Sequence, residues 1–142
     1  MNIVLKADST TVVLNGNIID DFQEGDTIVI SPVNPVTSHT NGSNGDVIVK
    51  KRVDGDVHDV TLNVIKFSKS DIYLNNAKNA DVPVIFSGSI KETFIKNGVE
   101  GIENWILENG SLTDSPTNTK NNQDGNATLE YKLRFRRATR LL

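Results

Sequence analysis

The sequence predicts a mainly β sandwich of short antiparallel strands, and three observations predict it. Apolar and polar residues alternate with period two along most of the chain, the pattern of half-buried strands. Asn15-Gly16 and Asn97-Gly98 follow such runs, and Asn-Gly supplies the positive φ angles of a two-residue hairpin turn. In ATLEYKLRFRR, Ala127, Leu129, Tyr131, Leu133 and Phe135 share one parity, while Thr128, Glu130, Lys132, Arg134 and Arg136 share the other. One face of that strand is core and the other is charged. A chain of 142 residues forms a single domain, residues 1–142, and buries roughly 68–70% of its unfolded surface.

Read in order, Thr11 to Leu14 is a strand that turns at Asn15-Gly16 and returns over Asn17 to Asp20. A second bend follows at FQEGD, where Gly25 supplies positive φ and Asp20, Asp21, Glu24 and Asp26 solvate the turn before Thr27 to Ser31 resumes as a strand. Residues 31–46, SPVNPVTSHTNGSNGD, hold two prolines and two glycines without periodicity and read as a long loop, a functional or disordered segment. VIVKKRV and VHDVTLNVIKF flank Asp54-Gly55-Asp56 and read as a second hairpin, with Val60, Leu62 and Val64 on one face and Lys66 continuing it outward. The one expected helix lies in SDIYLNNAKNA, capped by Ser68 or Ser70, with Tyr73, Leu74, Ala77 and Ala80 at helical spacing. VPVIFSGSIKETFI is a long strand in which Phe86, Ile90 and Phe94 share a parity, and Gly88 marks a bulge or a close backbone approach. GIENWILENGSL fits helix through Ile102, Trp105 and Ile106, and strand through Trp105 and Leu107; strand is preferred. TDSPTNTKNNQDGN is a polar linker into the alternating strand described above.

Composition excludes most chemistry. Without cysteine there are no disulfides or thiolate metal sites. MNIVLKADST holds only three consecutive apolar residues, too few for a signal-peptide core, and no stretch approaches the ~20 apolar residues of a membrane helix. No membrane insertion is expected, and the sequons at Asn41, Asn109 and Asn126 read as turn residues. His39 and His58 have no ligand-spaced partner and read as solvated. Asn122, Asp124 and Asn126 imitate the start of a calcium loop, but Gly125 is misplaced and Leu133 stands where the closing Glu belongs. Ser87-Gly88-Ser89 is no nucleophile elbow, and turn chemistry accounts for Asp54 and Asp56. No catalytic residue, metal or cofactor is expected, and Trp105 reads as core.

The net charge of −3 does not favour a generic nucleic-acid binder. Lys50, Lys51 and Arg52, with Arg134, Arg136, Arg137 and Arg140, admit three readings: a phosphate-binding patch, a solvated strand face, or a subunit interface. The third is favoured, because arginine suits interfacial ion pairs and the acidic bend at Asp20, Asp21, Glu24 and Asp26 offers a complementary surface on a neighbouring copy.

VVLNGNIIDDFQEGDTIVI at 12–30, the long loop and basic hairpin, SDIYLNNA, FSGSIKETFIKNG at 86–98, WILENGS at 105–111 and KNNQDGNATLEYKLRF at 120–135 follow one another in an order that resembles the small tail-tube proteins of contractile-tailed bacteriophages. These are related in fold to the inner tubes of phage-like secretion and bacteriocin machines. The resemblance spans nearly the whole chain and lies in the combination of parts. It implies two antiparallel sheets packed crosswise with one flanking helix, and a structural virion protein whose homohexameric rings stack into a hollow tail tube, a conduit for DNA during ejection. The implied partners are other copies of the chain, tail sheath, baseplate and tail-terminator proteins, and the tape-measure protein and transiting DNA in the lumen, with assembly in the host bacterial cytoplasm. A baseplate, hub or tail-terminator protein of the same fold is the alternative, and outside that setting a monomeric β-sandwich binding module, for which 6% aromatic residues offer little platform. In this frame the 31–46 loop, with Pro32, Val33, Pro35, Val36, His39 and Asn41, would stack one ring on the next, and Asp54 and Asp56 would give the lumen an uncompensated negative charge.

Overall fold

A computed structural model describes residues 1–22, 27–120 and 127–142, apart from the side chains of residues 6–8. Glu24, Gly25 and Asp26 of the acidic bend, and the Asn122, Asp124 and Asn126 segment, lie outside the described residues. The elements run β1 (Ile3–Leu14), β2 (Asn17–Ile19), β3 (Ile28–Pro32), β4 (Thr37–Asn41), β5 (Val47–Lys51), β6 (His58–Ile65), α1 (Lys69–Asn79), β7 (Phe86–Lys96), β8 (Val99–Asp114) and β9 (Thr128–Leu141). Among the described residues they form two antiparallel sheets, a seven-stranded one ordered β2-β1-β7-β8-β9-β6-β3 and a two-stranded one, β4-β5. The expected mainly β fold with one short helix is the fold that forms.

Local chemistry explains most elements. Asn15-Gly16 and Asn97-Gly98 turn the chain with φ of 49°, 79°, 51° and 78°, the doubly positive pair of a type I′ turn. Gly88 sits against β1, where a Cβ would collide with the Val13 carbonyl, and the register shifts between Phe86 and Gly88; the expected close approach and bulge are both present. Ser68 caps α1 by accepting from the Asp71 amide.

The sandwich arises from a corner. In β8 the buried residues are Leu107 and Gly110, three apart, and opposite them in β9 Phe135 and Ala138 show the same spacing. Both strands therefore exchange their inward and outward faces at Asn109 and Arg136. Asn109 takes φ 53°, where a short polar side chain is tolerated, so its expected turn character appears inside a strand. Strands that change sheets at such a bend form the corner of crosswise-packed layers. One half contains β2, β1, β7 and the first part of β8; the other contains the end of β8 with most of β9, then β6 and β3. Between them lies a single core that includes Val12, Leu14, Ile19, Leu62, Ile90, Leu107, Tyr131 and Phe135. Leu74 of α1 closes it.

A buried polar contact ties the helix to the core. The Tyr131 hydroxyl donates to Asp71 Oδ1 at 2.6 Å, and Asp71 Oδ2 accepts from the Phe67 amide at 2.8 Å. Both side chains are buried. Burial, followed by the hydrogen bond and charge of Asp71, holds the phenol above its ordinary value of 10.0.

Three expectations are corrected. The segment 31–46 is not a loop throughout: Thr37–Asn41 is a strand paired with Val47–Lys51. Its residues show no apolar alternation because all five are exposed, so no core selects a pattern. The Asp54-Gly55-Asp56 hairpin does not form either, since β5 pairs with β4 and β6 pairs with β3 and β9. Lys66 does not continue β6 outward; the strand ends at Ile65, and Lys66 Nζ donates to the Thr119 carbonyl at 2.6 Å.

Two stability outcomes follow. Asn109→Val should destabilise by about 1–2 kcal/mol in urea unfolding, because a β-branched residue resists the left-handed region, whereas Asn109→Gly should be neutral or better. Tyr131→Phe should cost about 1–3 kcal/mol by leaving Asp71 Oδ1 without its donor. Because the folded phenol ionises less readily than the unfolded one, its contribution is complete below its ordinary value of 10.0 and is lost as pH rises above it. Unfolding of the parent between pH 8 and 11 should show that alkaline loss, and the Phe variant should lack it.

Candidate assembly surfaces

Outside the core, three regions stand out. The first is the outer side of the corner. Because β9 turns over there, Arg136 and Arg137 both face outward, and the loop between β5 and β6 is tied against them by the Ala138 amide donating to the Asp56 carbonyl at 3.0 Å. Lys51, Arg52, Arg136 and Arg137 line an open groove of about 520 Å³ with Asp56 and Glu108, four cations against two carboxylates. Arg136 donates to the Val53 carbonyl at 3.3 Å, and Arg137 Nε lies 3.9 Å from Asp56.

The second is the β4–β5 hairpin. Every residue of both strands is exposed, including Val47, Ile48 and Val49. Val47 and Val49 lie on one face and Ile48 on the other, so neither face is covered. The hairpin is joined at its base by the Arg52 amide donating to the Val36 carbonyl at 2.8 Å.

The third is an arm made by the start of β1, the end of β7 and the start of β8. Ile3, Val4, Leu5, Val99 and Ile102 are each more than half exposed, and their alternate parities put apolar side chains on both faces. Ladder pairing of β9 on β8 begins at Asn104 and that of β2 on β1 begins at Val12. Among the described residues, both edges of the arm are therefore open.

The expected site residues distribute unevenly. Arg134 grips Asp59 in the same chain at 2.8 and 3.1 Å, and Arg140 grips Glu103 at 2.7 Å. The structure thus gives these two arginines intrachain partners, Asp59 and Glu103. Asp21 accepts from the Ser70 amide and hydroxyl at 3.3 and 3.2 Å, binding the segment after β2 to the helix start, while Asp20 is exposed. Asp54 receives both Nε and NH2 of Arg52 at 3.0 Å and, like Asp56, carries a cation beside it. His39 is exposed, with Nε2 3.2 Å from the Thr37 hydroxyl. His58 is not solvated as expected: it is half-buried, its Nδ1 lies 2.8 Å from the Asp56 carbonyl and its ring meets Trp105 edge-on at 5.4 Å. Trp105 packs half-buried against the core. Pro32 ends β3, an edge strand where a missing amide is tolerated; Val36 is exposed. Sequence reading missed the corner and Asp71, although Asn-Gly inside a strand and an Asp three residues after Ser68 were the signals.

No family model matches the chain, and no curated protein matches it. Its structure is similar to a chain in the anti-feeding prophage cap, a tube-terminating cap, with TM-score 0.67 at 14% identity over 97% of this chain and 91% of that one. The sheath-tube complex of an extracellular contractile injection system, in its extended state, gives TM-score 0.64 at 14% identity, covering 97% and 91%. The sheath/tube terminator of the same kind of system gives 0.62 at 14% identity, covering 98% and 97%. This chain has a fold found in contractile injection systems. The resemblance expected from the order of its parts is thus met at the level of fold.

Hydrogen bonds from Arg134, followed by its charge, hold the Asp59 carboxyl below its ordinary value of 3.8. In Arg134→Ala, NMR titration should return the Asp59 midpoint towards 3.8. In the parent, this pair's contribution should be complete above that value and lost as pH falls below it.

Proposed function

We propose that the chain is a non-enzymatic structural component of a contractile tail-like assembly, closing as sixfold rings that stack into the hollow tube of a phage tail and form a conduit for DNA. The observation that carries this reading is the apolar surface left outside a complete core, on an arm with two open edges and on a hairpin with two uncovered faces. Such surfaces in a free chain invite association, and the fold is one found in contractile injection systems.

The arm supplies the ring contact. Its β1 edge and its β8 edge lie on opposite sides of β7, so joining the first edge of one copy to the second edge of the next is a head-to-tail contact that a rotation can close. β1 and β8 each run antiparallel to β7, which makes the junction a parallel pairing. The arginine groove lies elsewhere, at the corner, and receives the acidic bend around Asp20 of a neighbour; Arg136 and Arg137 replace Arg134 and Arg140 as the interfacial cations, because the latter grip carboxylates of their own chain. The β4–β5 hairpin supplies ring-to-ring stacking. Sheath, baseplate, tape-measure protein and DNA are the other partners in this reading, and the virion tail is its location.

A tube-terminating role is the second reading, favoured by the similarity to cap and terminator structures at TM-scores of 0.67 and 0.62. A terminator closes a ring and does not polymerise. Sedimentation velocity and negative-stain microscopy of the purified chain separate the outcomes: long tubes support the tube role, single or paired rings the terminator role, and a monomer at every concentration overturns both. Replacing Thr37–Lys51 by a short Gly-Ser linker should leave the body folded, since no residue of either strand is buried and Val36 already bonds Arg52. Rings should persist while long tubes disappear.

A further inference from the structure

The inward face of the β7–β8 ladder holds a like-charge pair that strand pairing alone does not explain. Glu92 and Glu103 lie directly opposite one another, an arrangement that costs stability unless the charges are compensated. Glu103 is compensated by Arg140 at 2.6 Å. Among the described residues, Glu92 shows only a neutral donor, the Thr10 hydroxyl at 3.2 Å. Both carboxylates open into a cleft of about 450 Å³ whose other walls include Ile28 and Ile30 of edge strand β3, Ile90 and Trp105. Among the described residues Arg140 is its sole cation, so that their charges sum to one excess negative charge beside the isoleucine side chains.

The chain also displays the complementary shape. On β5, Ile48 and Lys50 are two residues apart and share a face; both are exposed, and their partners across the ladder are the small polar residues Thr40 and Ser38. A branched apolar group beside an ammonium on a projecting hairpin matches a cleft that sets isoleucine and tryptophan side chains beside a carboxylate with no cation among the described residues. Lys51 points to the other face and lines the arginine groove of its own chain, which leaves Lys50 as the free cation of the pair.

We propose that the Glu92 cleft is the receptor for the β4–β5 hairpin of a second copy of this chain, with Ile48 entering between Ile28, Ile30 and Trp105 and the Lys50 ammonium bonding Glu92. This rests on the self-assembly reading above and names both halves of the contact. Docking removes the like-charge strain at the ladder, covers one face of the hairpin and excludes water from the ion pair, which strengthens it. It also selects against unrelated partners, since a chain with an acidic or neutral residue at the position of Lys50 would bury Glu92 without a cation.

The test is a charge exchange in the full-length chain. Trp105 is the only tryptophan in the chain and it lines the cleft, so its emission reports docking while sedimentation velocity reports assembly. Raising the concentration of the parent should shift Trp105 emission to the blue in step with association. Lys50→Glu, on an exposed strand, and Glu92→Lys should each raise the concentration for half-assembly at least tenfold and remove the emission shift, while the double exchange should recover both. Ile48→Asp should behave like the single exchanges. Circular dichroism identifies any variant that fails to fold, and Lys50→Glu, which touches no core residue, stands as the deciding variant in that case. Single exchanges that assemble like a parent that forms rings or tubes would overturn the receptor and leave the assembly reading intact. A double exchange no better than either single one would do the same, whereas a strictly monomeric parent overturns both.

Discussion

The bend shared by β8 and β9 is the constraint from which the remaining architecture follows. A seven-stranded antiparallel sheet with one apolar face has no second layer to pack against unless it supplies its own. By exchanging faces together at Asn109 and Arg136, the two longest central strands keep their ladder while turning the sheet through a corner, and Phe135 and Leu107 enter one core from opposite sides. Gly110 permits this because the Phe135 ring lies over it where a side chain would stand. The same turn pushes Arg136 and Arg137 outward in succession, so the basic groove is a by-product of how the core is closed.

The division between a complete interior and an incomplete exterior follows from that closure. Nearly every buried polar group has a partner, as Asp71 has in Tyr131 and Phe67, and Asn104 Oδ1 is the one unpartnered buried side-chain atom among the described residues. Electrostatics is mostly settled within the chain as well, through Arg134 with Asp59, Arg140 with Glu103 and Arg52 with Asp54. Exposed pairs of this kind contribute little to stability, but they keep arginines from wandering and fix which charges remain for contacts with other copies. The surfaces left over are apolar, carried by an arm and by a hairpin whose two strands alone are only marginally stable in water.

Local chemistry was legible wherever a residue acts through its own neighbours. Asn15-Gly16 and Asn97-Gly98 gave their turns, Ser68 its cap, and Leu129, Tyr131, Leu133 and Phe135 their inward parity, because φ preferences, capping and period-two burial are properties of a few adjacent residues. Gly88 was legible for the same reason: a glycine amid strand residues signals a backbone that passes too close for a side chain. The order of these parts was enough to indicate the fold.

What the sequence left undecided depends on residues far apart in the chain. Thr37–Asn41 looked like loop because strand pattern is imposed by a core, and this strand has none on either face. β5 pairs with β4 and not with β6, because both edges of β6 are taken, one by β9 and the other by β3. Arg134 and Arg140 looked free for a neighbour, yet ladder register set Arg134 opposite Asp59 and Arg140 beside Glu103. Periodicity determined which residues of a strand share a face; only the tertiary structure decided what that face meets, because register and corner geometry are fixed by the packing of the whole core.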